Sequence, residues 1–107
     1  MATGLIPQFD RRRAKRLPPA HTPWQALALL RPGQDVTLVN IGCGGALLES
    51  ASRMLPGARA DLQLIGTPRC TVRGRIHRCQ VTCLDPLRYR GAIVFDEPLD
   101  LALQPQG

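Results

Sequence analysis

The sequence predicts an all-β body, an antiparallel barrel or sandwich, on three observations. From Trp24 onward, short apolar segments alternate with polar positions at the two-residue period of a half-buried strand. Glycine and proline turn signals separate those segments at near-regular spacing. Only the acidic stretch "DEPLDLALQ" accommodates a helix, and a short one.

The elements follow in chain order. Residues 1–23 read as an extended arm and connector, because Pro7, Pro18, Pro19 and Pro23 break helices and central strands. "WQALALL" opens the body (residues 24–101), with Trp24, Ala26, Ala28 and Leu30 on one parity and Trp24 expected in the core. "RPGQ" offers Pro then Gly, the pair a type II turn requires at its centre. "DVTLVNI" alternates again, with Val36, Leu38 and Asn40 on one face and Thr37, Val39 and Ile41 on the other. "GCGG" interrupts, "ALLES" resumes, and "LPGA" is a second Pro-Gly turn leading into "ADLQLIG". In "RCTVRGRIHRCQV", Thr71, Arg73, Arg75 and His77 form the wet face of a strand. "DPLRYR" reads as a turn, "GAIVF" as the closing strand, and residues 102–107 as a tail.

The chain has 107 residues and a formal charge of +6, from 14 Lys and Arg against 8 Asp and Glu. That excess sits in "RRRAKR": without Arg11, Arg12, Arg13, Lys15 and Arg16 the chain is close to neutral. A duplex-binding protein spreads its cations over a face, whereas one compact cluster suits a small anion or a short contact. With few aromatics for base stacking, a nucleic-acid polymer is not the expected partner. No apolar run is long enough to span a bilayer, and the arm has no apolar or lipidated second anchor for membrane docking. The charge of the N-terminus follows its mildly apolar part, which is not the order of a secretory signal. The expectation is a cytoplasmic protein with reduced cysteines.

Two stretches carry candidate chemistry. Arg12 and Arg16 stand four apart ahead of the first strand, with Arg13 between them and Arg11 beside them. A solvated basic arm is the plain reading of such a cluster. Spaced guanidinium forks can also grip phosphate, or the O6/N7 edge of guanine. In "NIGCGGALL", three glycines in four positions call for positive φ or a close approach. That loop is either a tight bend held by Asn40 or a place where a ligand meets main-chain N–H groups and the Asn40 amide. No Gly-Lys-Ser/Thr follows, so it is not a phosphate-binding P-loop.

Together, "RRRAKR" and "NIGCGG" resemble the two motifs of PilZ domains, R-x-x-x-R and D/N-x-S-x-x-G. "LPGARADLQL", "VRGRIHR" and "GAIVFDEPL" resemble the later strands and closing segment of that family in the same order. The resemblance covers roughly residues 10–101. It implies a six-stranded antiparallel β-barrel with an N-terminal arm, and a bacterial receptor for the second messenger cyclic di-GMP. By that resemblance Arg12 and Arg16 hold guanine and phosphate, Asn40 and Gly45 match the second motif, and Arg11 and Arg13 stand close enough to add contacts. The ligand is then pinned between arm and barrel, and an effector protein on a separate chain reads the result. Gly42 departs from the pattern by standing where the family has serine. A lost hydrogen bond of that kind costs about 1–3 kcal/mol, which leaves weakened binding or a nucleotide-free protein adaptor as the alternative.

Cys70, His77, Cys79 and Cys83 lie close together in the sequence but contain no C-x-x-C pair, so reduced structural cysteines are expected rather than a metal site. Neither His21 nor His77 sits beside a Ser or Cys in a nucleophile's arrangement, and no residue set points to catalysis or a cofactor.

Overall fold

The computed structural model describes residues 16–31, 33–67, 69–99 and 101. Six strands form a closed barrel: β1 (Trp24–Arg31), β2 (Gln34–Ile41), β3 (Gly45–Ser50), β4 (Arg59–Gly66), β5 (Cys70–Leu84) and β6 (Leu87–Phe95). Around the barrel they run β1-β2-β3-β6-β5-β4, and every neighbouring pair is antiparallel. Closure decides between barrel and sandwich, and it leaves no free edge around the ring itself.

The period-two pattern works as expected through most of the wall. Val36, Leu38, Leu48, Leu62, Leu64, Ile76 and Ile93 point into one core, and Trp24 joins them at 3% exposure. Thr71, Arg73, Arg75 and His77 are exposed, the expected wet face of β5. The register between β1 and β4 shifts between Trp24 and Ala28, which leaves Ala26 outside the core while Ala28 and Leu30 stay in it.

A second irregularity changes which residues of β2 face inward. The β2–β3 register shifts between Leu38 and Asn40, so Ile41 is fully buried and Asn40 is only half-buried. Strict alternation would have put Asn40 in the core with Val36 and Leu38. One extra residue in the strand exchanges an amide for an isoleucine, which burial favours.

The two Pro-Gly turns behave differently. Gly57 takes φ +88°, and Ala58 N–H donates to Leu55 O at 3.1 Å, closing the turn where the sequence places it. Gly33 also has positive φ, but its N–H donates to Leu30 O at 2.9 Å, so that turn closes one residue earlier than "RPGQ" predicts.

Three expectations are corrected. "LRYR" is not part of a turn: β5 runs on to Leu84, the chain reverses at the cis Asp85–Pro86 bond, and Leu87 already belongs to β6. The arginines that look like loop residues are strand residues with a shared partner, Arg90 lying 2.7 Å and Arg88 3.8 Å from Glu49 on β3. The connector is not extended throughout, since Pro19–His21 make one 3-10 turn. Proline suits a first helical position, and Thr22 closes the turn through its hydroxyl, which donates to Pro19 O at 2.8 Å. The tail helix is absent from residues 96–99; Leu101 lies in a 3-10 turn, and Leu99 and Leu101 pack against the core. The rest of that stretch lies outside the described residues.

Ser50 is the one buried polar side chain among the described residues. Its hydroxyl accepts from Gln34 Nε2 at 2.7 Å and from the Ser52 N–H at 2.9 Å, tying β2 to the chain leaving β3. Ser50→Ala leaves the Ser52 N–H without its acceptor and Gln34 Nε2 with only Ser52 O at 3.3 Å, and is expected to lower stability by about 1 kcal/mol. Urea unfolding would read this as a lower midpoint at unchanged slope.

Candidate functional site

The Leu38–Asn40 irregularity and the end of the arm together build the site. Leu17 forms an isolated antiparallel bridge with Ile41, its N–H donating to Ile41 O at 2.8 Å and its O accepting from Ile41 N–H at 2.9 Å. That bridge lays the preceding residue beside Asn40, and Arg16 Nη1 donates to Asn40 Oδ1 at 3.0 Å. The two residues singled out from separate motifs are therefore in contact across 24 positions of chain. Arg16 is exposed and has no ion pair among the described residues. Of its five N–H donors one is used here, and among the described residues nothing compensates its charge or takes the others.

The glycine loop follows immediately. Gly42 N–H donates to Gly45 O at 2.8 Å and closes the β2–β3 connection. None of the loop glycines has positive φ, so of the two reasons for glycine it is close approach that applies. A Cβ on Gly45 would overlap the Ile93 carbonyl oxygen, while one on Gly44 would meet nothing. The closing segment holds the loop from the other side, with Phe95 N–H donating to Gly44 O at 2.9 Å and Leu99 N–H to Cys43 O at 2.7 Å. The N–H groups of Cys43 and Gly44 have no partner among the described residues.

Of the residues expected to bind, Arg16, Asn40, Gly42 and Gly45 come together at one end of the barrel. Arg11, Arg12 and Arg13 lie outside the described residues. The Leu17–Ile41 bridge and the Leu99–Cys43 bond had no motif to announce them, because both are main-chain contacts and any side chain serves.

The wet face of β5 lies across the barrel from Asn40, although at the loop end only Val94 of β6 separates Arg75 from Gly45. In the ring order β5 lies three strands from β2 in either direction, so Arg73, Arg75 and His77 occupy the opposite wall from Asn40. Arg73 there lies 3.5 Å from Asp61, and Arg59 3.0 Å from Asp96.

The four cysteines are free thiols. Cys70 and Cys79 pack against the core, Cys79 Sγ accepts from Met54 N–H at 3.4 Å, and Cys83 is exposed. Burial pushes the Cys70 thiol above its ordinary pKa, which keeps it protonated and a poor nucleophile. Among the described residues no group of three or more His, Cys, Asp or Glu could hold a metal ion, and no helix is long and apolar enough to cross a membrane.

Compared with known proteins, the chain matches no family model, no curated sequence and no solved structure.

Proposed function

We propose that this chain is a PilZ-type receptor that binds cyclic di-GMP between its arginine arm and the 42–45 loop, and signals to a separate effector protein. The observation that carries the reading is the 3.0 Å bond from Arg16 to Asn40, which unites the arm motif and the loop motif at one end of a closed six-stranded antiparallel barrel. Arg16 has spare donors for a phosphate or a guanine edge, and Asn40 holds it in place by accepting only one of them. The Cys43 and Gly44 N–H groups, without a partner among the described residues, lie in the adjacent loop and suit an anionic oxygen. Arg12 is the second fork of the arm motif. Ligand binding would fix the arm against the barrel, and the surface so formed is what the effector reads.

One observation favours the adaptor reading. Gly42 supplies no hydroxyl, and its N–H is already spent on Gly45 O, so this position offers the ligand no donor.

Isothermal titration with cyclic di-GMP tests the proposal, with GTP and a short RNA as controls. Selective, saturable binding is expected. Arg16→Ala and Arg12→Ala should each weaken it by roughly ten- to a hundredfold, the cost of one charge-assisted contact, with the melting curve unchanged. Silence with cyclic di-GMP leaves the adaptor; full affinity in both variants removes the assigned site.

A further inference from the structure

The far half of β5 is a surface that the nucleotide reading does not use. β5 pairs with β4 only as far as Arg75. The next residue is closed by the turn before β4: Ile76 N–H donates to Ala58 O at 2.9 Å, and Gly57 N–H donates to Ile76 O at 2.7 Å. From Arg78 to Leu84 the strand has β6 on one side and no described residue hydrogen-bonded to its backbone on the other. β6 leaves β3 at Tyr89, so the end of the hairpin is a two-stranded ribbon standing off the barrel. An open edge of this kind is a template for another strand, and proteins usually blunt it with lysine, proline or inward charge. Arg78, at one end, is the sole charge on this stretch. Val81 (47% exposed), Leu84 (80%) and Leu87 (44%) make the ribbon apolar as well as open.

We propose that this ribbon is a self-association surface: two copies of the chain pair antiparallel through residues 78–84 of β5 about a two-fold axis near Val81. Three observations select a second copy. The turn at Gly57 and Ala58 already occupies the edge at Ile76, so an incoming strand must end there. In the two-fold arrangement it does, because the Asp85–Pro86 reversal of the other copy falls opposite His77. Charge agrees with that register: Asp85, the ribbon's one acid, lands beside His77 and Arg78 of the other copy, and symmetry repeats the contact at the far end. A parallel pairing would instead set the two Arg78 side by side. Finally, the two Val81 side chains meet at the axis, which covers part of the exposed apolar surface. The register shift between Val81 and Cys83 falls inside the seam next to the axis, so each strand carries extra local twist there.

Sedimentation equilibrium of the full chain in reducing buffer across the micromolar range tests this. A dimer is expected. Val81→Lys and Asp85→Arg should each raise its dissociation constant at least about tenfold, with strand content unchanged by circular dichroism. Adding Arg78→Asp to Asp85→Arg should recover most of the loss, and Cys83→Ser should leave the dimer intact. A wild-type chain that stays monomeric overturns the proposal. So does a dimer indifferent to Asp85→Arg, or one that forms only when the reductant is left out, which would be a disulfide rather than a strand seam.

Discussion

Leu48→Ala is expected to destabilise the barrel by about 3 kcal/mol, inside the 2–5 kcal/mol span of large-to-small changes in a packed core. Leu48 is fully buried on β3, opposite Leu38 on β2 and Gly91 on β6. Gly91 brings no side chain of its own to the vacated space, which leaves the Met54 thioether lying over it as the neighbour on that side. The closed ring also restrains the walls from collapsing inward, so most of the cavity should remain. For a domain of this size each kcal/mol lowers Tm by about 4–8 °C, so a fall of roughly 12–24 °C is expected. Leu55→Ala is the matched control: at 59% exposure and outside the ribbon it should change stability by no more than about 0.5 kcal/mol. Equal effects at the two positions would mean that β3 does not line the core.

Gly45→Val should cost about as much, roughly 3 kcal/mol, by the opposite mechanism. The obstacle to a side chain at Gly45 is the Ile93 carbonyl oxygen, with Val94 Cα at 3.5 Å, so backbone rather than a flexible side chain would have to give way. Overpacking against main chain falls at the upper end of the 1–3 kcal/mol range. Gly44→Ala provides the comparison, since nothing lies within 4 Å of a Cβ there. Thermal melts of the pair separate close approach from a general need for glycine in the loop. Should both variants melt alike, the β3–β6 contact is not what requires glycine at position 45.

These two positions also mark what was legible in the sequence. The alternation in "ADLQL" and "RCTVRGRIH" is unbroken, and the structure follows it residue by residue. "DVTLVNI" also alternates, but an inserted residue lets Ile41 displace Asn40 from the core, and composition does not announce a register shift. "LRYR" was hidden for a different reason. Arg88 and Arg90 resemble solvent-facing loop residues until Glu49, far away in sequence, is found beside them. At the candidate site the residue types were readable and their juxtaposition was not. The Arg16–Asn40 contact depends on the main-chain bridge of Leu17 to Ile41, which no side-chain pattern encodes.

Ring order also sets valency. Asn40 lies on β2 and the open ribbon continues from β5, and these strands face away from each other across the barrel. Two chains joined through their ribbons would therefore carry two Arg16–Asn40 sites directed outward, neither hidden by the seam. An effector with two matching surfaces would then engage both at once, and its avidity would track the geometry of the pair rather than the strength of either contact.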